Sequence, residues 1–287
     1  MLKRVFSFHT QKLRHWVGDG FFVHGLLRPS KEINSIISPF IMIDYASPKK
    51  FLKSDFVRGV GEHPHRGFET VTFAYQGEIQ HRDSAGGGGI IRPGDVQWMT
   101  AGSGIVHDEY HSKNFSNKGG FFEMVQLWIN LPKKYKMISP KYQHIEKETI
   151  PNIQISKNIN MRLIAGTFFD KSGPAKTFTN MKIIDFYGKF KSNIEFSLKE
   201  KTNTILLILN GKIKLQGTSY SDKSVILFEQ EGRDIKFDTS DNFKAILLNG
   251  EPIDEPVISH GPFVMNTFEE IEKALHDYKT GKMGKLL

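Results

Sequence analysis

The sequence predicts an all-β protein, a sandwich or barrel present in two copies, closed by one helix. Three observations predict it: turn dipeptides at short intervals, a strand–turn–strand pattern that recurs, and a capping box near the C-terminus. Segments rich in β-branched and aromatic residues lie at 70–75, 90–91, 96–99, 124–129, 204–209 and 244–248. Gln76-Gly77, Pro93-Gly94, Asn210-Gly211 and Asn249-Gly250 supply turns of the right chemistry beside them. The run SAGGGG at 84–89 is expected to be a flexible loop, since it lacks the Lys-Ser/Thr of a nucleotide cradle and no helical pattern follows it.

Residues 70–80, TVTFAYQGEIQ, and 204–214, TILLILNGKIK, read as the same hairpin, with Thr and Gly each displaced by 134 positions. Two copies of one β domain follow. The expected division is an N-terminal domain at 1–133, a linker at 134–150 within the Lys- and Pro-bearing stretch, and a C-terminal domain at 151–287. The helix begins at Thr267-Phe268-Glu269-Glu270, a capping box. Phe268, Ile271, Leu275 and Tyr278 then fall on one face, and Gly281 is a natural stop.

The chain of 287 residues has 39 Lys and Arg against 31 Asp and Glu, a net charge of +8, with 39% apolar and 12% aromatic residues. That composition supports a packed core and excludes a wholly disordered chain. No apolar run approaches the roughly 18 residues of a membrane span. The start MLKRVFSFHTQK has no apolar core of signal-peptide length, so the expected location is cytoplasmic. The positive charge is mostly Lys and scattered, densest at Lys133, Lys134 and Lys136. Bidentate phosphate recognition favours Arg, so the reading is a solvated basic surface rather than a nucleic-acid face. The lack of Cys excludes disulfides, thiolate zinc sites, iron–sulfur clusters and cysteine nucleophiles.

Any metal must therefore use nitrogen and oxygen donors, and five of the eleven His lie between positions 63 and 111. His63-Pro64-His65 is an HxH pair and His107-Asp108-Glu109 an HxE pair. In a strand, residues i and i+2 leave the same face, so each pair aims both groups one way. Two neighbouring strands could gather three imidazoles and a carboxylate around one point. If the first strand is continuous, His63, His65, Glu69, Val71, Phe73 and Tyr75 share a face, while Ile105, His107, Glu109 and His111 share one on the second. Pro64 cannot donate to a ladder and argues for a strand end or a bulge. Three His and one carboxylate suit an open mononuclear site for Fe(II), Mn(II), Ni(II) or Co(II) better than a closed structural zinc site. His81, Asp83 and His111 are candidates for orienting ligands or lining the cavity. Trp98, Met99, Phe73, Gln126 and Trp128 are candidates for the pocket wall or the core.

HPHRGFETVTFAYQGEIQHRDSAG at 63–86 and RPGDVQWMTAGSGIVHDE at 92–109 closely resemble the pirin family of the cupin superfamily. QLWINLP at 126–132 and GEPIDEPVISHGPFVMNT at 250–267 extend the likeness, while 135–245 match weakly. The resemblance implies a bicupin: two tandem cupin-type β-barrels, one metal in the N-terminal barrel, and a C-terminal barrel without one. Carried over, the ligands are His63, His65, His107 and Glu109, with Fe(II) the first choice and Mn, Ni, Co or Zn the alternatives. Cupins in general take a Glu four residues after HxH, which here is Glu69; it is given a supporting role and kept as the alternative ligand. The repeat places Ser197, Lys199, Asp241 and Phe243 where the first copy has its four ligands.

Some pirin-like proteins resemble quercetinases, which open flavonols with dioxygen and release carbon monoxide. The implied activity is that of a quercetin 2,3-dioxygenase, with a flat aromatic flavonol and dioxygen as substrates. Glu109 would be the general base, and Val71 and Phe73 would seat the substrate. The alternative is a regulator without turnover that acts on a protein partner according to the redox state of its metal, as animal pirins resemble transcription co-regulators.

Overall fold

A computed structural model describes residues 1–30 and 32–286. Each segment read as a strand lies in one: Phe68–Gln76, Gly88–Ile91, Val96–Thr100, Gly120–Asn130, Asn203–Asn210 and Phe243–Gly250. Gly88 and Gly89, expected in a loop, instead pair with Arg82 and His81. The chain forms two compact units, each with one seven-stranded and one four-stranded antiparallel sheet.

In the unit built from Arg14–Gly25, Met42–Lys147 and Asp254–Leu287, the four-stranded sheet runs Gly59–His65, Ile105–His111, Ile79–Asp83, Gly88–Ile91. In the other unit, from Met1–Leu13, Leu26–Ile41 and Glu148–Ile253, it runs Ser192–Ser197, Asp234–Thr239, Lys212–Leu215, Thr218–Ser221. The strand orders match, so the repeat is one of topology. Phe68–Gln76 and Asn203–Asn210 hold the same third place in their seven-stranded sheets. The expected hairpins are corners instead. The turns at Gly77 (φ +81) and Gly211 (φ +83) carry the chain from the seven-stranded to the four-stranded sheet, a step that needs φ > 0.

The contiguous domains expected at 1–133 and 151–287 give way to interleaved ones. Val5–Thr10 pairs with Ser224–Phe228, as Lys141–Ile145 pairs with Val96–Thr100. The N-terminus thus edges the C-terminal repeat, and the expected linker contributes the strand Lys141–Ile145 to the first. Pairing goes to whichever edge is open, and hydrophobic period carries no record of that.

The helix spans Phe268–Lys279 behind its capping box, and Thr267 accepts from the Glu270 amide. Its buried face holds Ile271, Ala274 and Asp277, packed beside Val106, Phe263 and Met265, while Phe268 is 70% exposed. The expected stripe is therefore rotated. Asp277 turns inward to the buried Arg66, whose Nη1 and Nη2 both lie 3.0 Å from Oδ2. Lys136, read as part of a solvated cluster, is also buried and donates to Gly67 O, Asn130 Oδ1 and Val264 O at 2.6–2.8 Å.

Candidate metal centre

The HxH and HxE pairs lie on adjacent strands, His63 opposite His107 and His65 opposite Ile105. The register slips between His107 and Glu109, which faces Val60. The bulge is thus at 61–62, and Pro64 keeps its place opposite Val106. A bulge re-aims its neighbours, and here His63 closes on His107 with ring centroids 4.2 Å apart. His65 lies 4.9 Å from both.

One donor atom from each of His63, His65 and His107 falls within a 4.8 Å group; His81, His107 and Glu109 form a second group of the same size. The four expected ligands are therefore divided between two groups that share His107. Glu69 joins neither. The strand does not run on from His65: Gly67 (φ +87) turns a corner, and Phe68–Gln76 belongs to the other sheet. Glu69 Oε1 instead accepts from Trp98 Nε1 at 2.9 Å and Thr100 Oγ1 at 2.7 Å.

Burial, followed by the charges of neighbouring imidazoles, holds His65 and His107 well below the ordinary histidine range. Both are neutral at pH 7, the form that binds a metal. Their outer nitrogens are occupied. His63 Nδ1 meets Gly61 O at 2.8 Å, His65 Nδ1 meets Pro262 O at 3.3 Å, and His107 Nδ1 meets His81 Nδ1 at 3.3 Å. A carbonyl only accepts, so His63 and His65 both donate from Nδ1, which in the neutral ring leaves Nε2 bare. His107 Nε2 is buried with no hydrogen-bond partner among the described residues. An orphaned buried ring nitrogen beside two bare ones fits a metal ion with nitrogen and oxygen donors.

Glu109 Oε1 accepts from Gln97 Nε2 at 2.7 Å, and Gln97 Oε1 accepts from the Tyr142 hydroxyl at 3.1 Å. Tyr142 in turn stacks on His81 at 4.9 Å. Burial, then the charge of Glu109, pushes the Tyr142 phenol up. His111, expected near the cavity, instead sits among Phe51, Phe115 and Phe122 and meets Gly20 O through Nε2 at 3.0 Å.

A cavity of about 340 Å³ opens onto His63, His65 and Glu109. Its wall is mostly apolar: Phe21 and Val23, Met42, and Met124 with Trp128, from strands that neighbour one another in the seven-stranded sheet, with Val17, Val60 and Pro262; Asp44 and Gln126 on the same strands add polar groups. Gln126 and Trp128 line it as expected. Val71, Phe73, Trp98 and Met99 are fully buried and do not. Strand Phe68–Gln76 is buried on both faces over most of its length, so its inward residues are packing rather than wall.

A model of the pirin family matches residues 25–129, and a model of the pirin C-terminal cupin domain matches 183–284. A Pseudomonas aeruginosa protein is 41% identical over 98% of both chains. The chain belongs to the pirin family. That Pseudomonas relative carries the provisional name quercetin 2,3-dioxygenase. A tomato pirin-like protein is 38% identical over 93% of this chain and 88% of its own. Among solved structures, a quercetin 2,3-dioxygenase from Acinetobacter baumannii superposes with a TM-score of 0.97 at 42% identity, covering both chains fully. A bacterial pirin from Escherichia coli in complex with nickel(II) shares the fold at 18% identity, with a TM-score of 0.64 over 86% of this chain and 100% of its own. Among the described residues of this pirin, no helix is long and apolar enough to cross a membrane.

Proposed function

We propose that this pirin is a metal-dependent dioxygenase of the quercetinase type, acting on a flavonol with dioxygen. The observation that carries the reading is the buried, unpartnered His107 Nε2 beside His63 and His65, which line an apolar cavity. His63, His65 and His107 would hold one divalent ion, Fe(II) before Mn, Ni, Co or Zn, with Glu109 as the fourth donor. Such an ion supplies Lewis-acid activation of the substrate's hydroxyl group.

The chain's own groups do the rest. The Phe21, Val23, Met42 and Met124 wall takes a flat aromatic molecule and excludes water. Gln97 fixes Glu109 through Oε1, and Glu109, on releasing or sharing the ion, would receive the flavonol 3-hydroxyl proton as general base. The test is elemental analysis of anaerobically purified protein, followed by aerobic incubation of each metal-loaded form with quercetin. Loss of the flavonol absorbance in wild type, abolished in His63→Ala together with the bound metal, is expected. Stable absorbance with Fe, Mn, Ni and Co alike refutes the enzyme reading. Metal uptake without turnover, joined to a partner retained by the Fe(II) form and not the Fe(III) form, would establish the regulator instead.

A further inference from the structure

Carbonyl partners settle the proton positions on His63 and His65, but the partner of His107 Nδ1 is another ring nitrogen, which can accept or donate. The answer lies one step further out. His81 and Asp83 are i and i+2 on strand Ile79–Asp83, both with fully buried side chains, and His81 Nε2 lies 3.1 Å from Asp83 Oδ2. A carboxylate accepts, so His81 donates from Nε2, and a neutral His81 then turns a bare Nδ1 toward His107. His107 must then supply the proton between the two rings.

We propose that Asp83 and His81 are positioning residues that hold the His107 proton on Nδ1 and so keep His107 Nε2 bare for a metal ion. The inference rests on the reading of His63, His65 and His107 as ligands. It makes their donor nitrogens alike: each has its proton on Nδ1, toward the protein, and a free Nε2. Asp83 is itself pinned, because its Oδ1 accepts from the Ala85 and Gly87 amides, each at 2.9 Å.

That pinning gives a substitution of defined sign. In Asp83→Asn, the two amides select the side-chain oxygen at the Oδ1 position. The NH2 group must then face His81 Nε2. His81 shifts its proton to Nδ1, His107 Nδ1 becomes the acceptor, and the His107 proton moves to Nε2, where it blocks the donor.

The test is a long-range 15N–1H histidine correlation spectrum of the full-length metal-free protein, paired with a Ni(II) titration. Wild type should show His107 protonated on Nδ1 alone. Asp83→Asn should move that proton to Nε2 and weaken Ni(II) binding about 10–100-fold, with an unchanged far-UV spectrum. His81→Phe keeps a ring against Tyr142 but removes the acceptor. It should leave His107 a mixture of tautomers with weakened Ni(II) binding, and it decides the matter should Asp83→Asn fail to fold. A wild-type His107 protonated on Nε2, as a doubly protonated His81 would require, overturns the inference. So does an Asp83→Asn protein that keeps the Nδ1 proton and wild-type affinity. Wild type with the Nδ1 proton in place but no Ni(II) uptake refutes the ligand reading, and the inference falls with it; the spectrum tells the two failures apart.

Discussion

Asp277→Asn isolates the tie between the terminal helix and the strand that ends in His65. Arg66 follows His65 directly, is 3% exposed, and gives two N–H donors to Asp277 Oδ2 at 3.0 Å and a third to Ser103 O at 2.7 Å. Lys282 adds a contact to Oδ1 at 3.0 Å, and Lys273 lies 3.4 Å from Oδ2, but both Lys side chains are mostly exposed. The Asn side chain keeps the shape and removes the charge, leaving Arg66 buried without a counterion. Breaking a buried pair in this way costs about 3–5 kcal/mol; the two exposed Lys contribute less than 1 kcal/mol each by the usual measure of surface pairs. Urea denaturation at pH 7 should therefore place the variant about 3 kcal/mol or more below wild type. The sign of the pH dependence follows from the carboxyl. The Lys282 hydrogen bond, then Arg66, hold it well below the usual carboxylate range. Its contribution is complete above the unfolded value of about 4 and is lost progressively as pH falls toward the folded one. The gap between wild type and variant should thus be constant from pH 8 to about 5 and shrink below 4. A gap under about 1 kcal/mol at pH 7, or one that does not narrow in acid, refutes the argument.

Three further outcomes follow from buried groups. Burial pushes His111 down to about 4, so the unfolded chain binds the proton more tightly and wild type should lose about 3 kcal/mol between pH 6.5 and 4. His111→Phe should flatten that limb in acid denaturation while giving up the Gly20 hydrogen bond, and an unchanged limb would contradict it. Burial pushes the Glu69 carboxyl up to about 7, so here the folded state holds the proton and stability falls as pH rises from 4.5 to 7. Glu69→Gln, which can still accept from Trp98 and Thr100, should stabilise the metal-free protein at pH 8 and leave it unchanged at pH 4; a lower melting temperature at pH 8 would count against it. Burial brings Lys136 down to about 7, so wild-type stability should climb from pH 7 toward 10. Lys136→Met should remove that climb and so cost more at pH 10 than at pH 6, since it orphans the same three acceptors at both but relieves the buried charge only at pH 6, which chemical denaturation at the two pH values measures.

What the sequence made legible was local. HxH and HxE each place two donors on one face by strand geometry alone, and the structure keeps His63, His65 and His107 together. The capping box is equally local, and Thr267 caps the helix as read. What escaped depends on distant pairings. The carbonyl that orients His65 belongs to Pro262, 197 residues away. The residue that turns the terminal helix is Asp277, which pairs with Arg66 across 211 residues. The cavity wall draws on Val17, Phe21, Val23, Met42 and Met124, apolar strand residues that look in the sequence like any other core positions. Val71 and Phe73 were the natural choice by parity, and the corner at Gly67 removes the continuity on which that parity depended.

The two units show what one strand arrangement needs before it can hold imidazoles inside. In the C-terminal repeat, Ile194 pairs with Phe237 and Phe196 with Ile235 on the strands that correspond to Gly59–His65 and Ile105–His111. Those four side chains join a large apolar cluster and require no partners. In the other repeat the same two strands carry His63, His65, His107 and Glu109, and each buried polar atom left unpaired there costs about 1–3 kcal/mol. Exchanging side chains on the two strands would not be enough to build such a site. The Gly61 carbonyl is available at the bulge beside His63, the Pro262 carbonyl comes from the C-terminal segment, and His81 with Asp83 comes from a third strand. Each fixes one outer nitrogen, and together they direct what remains unsatisfied to a single place. A barrel whose unpaired nitrogens were scattered would only be unstable; this one gathers three imidazoles into one group, two of them lining an apolar cavity.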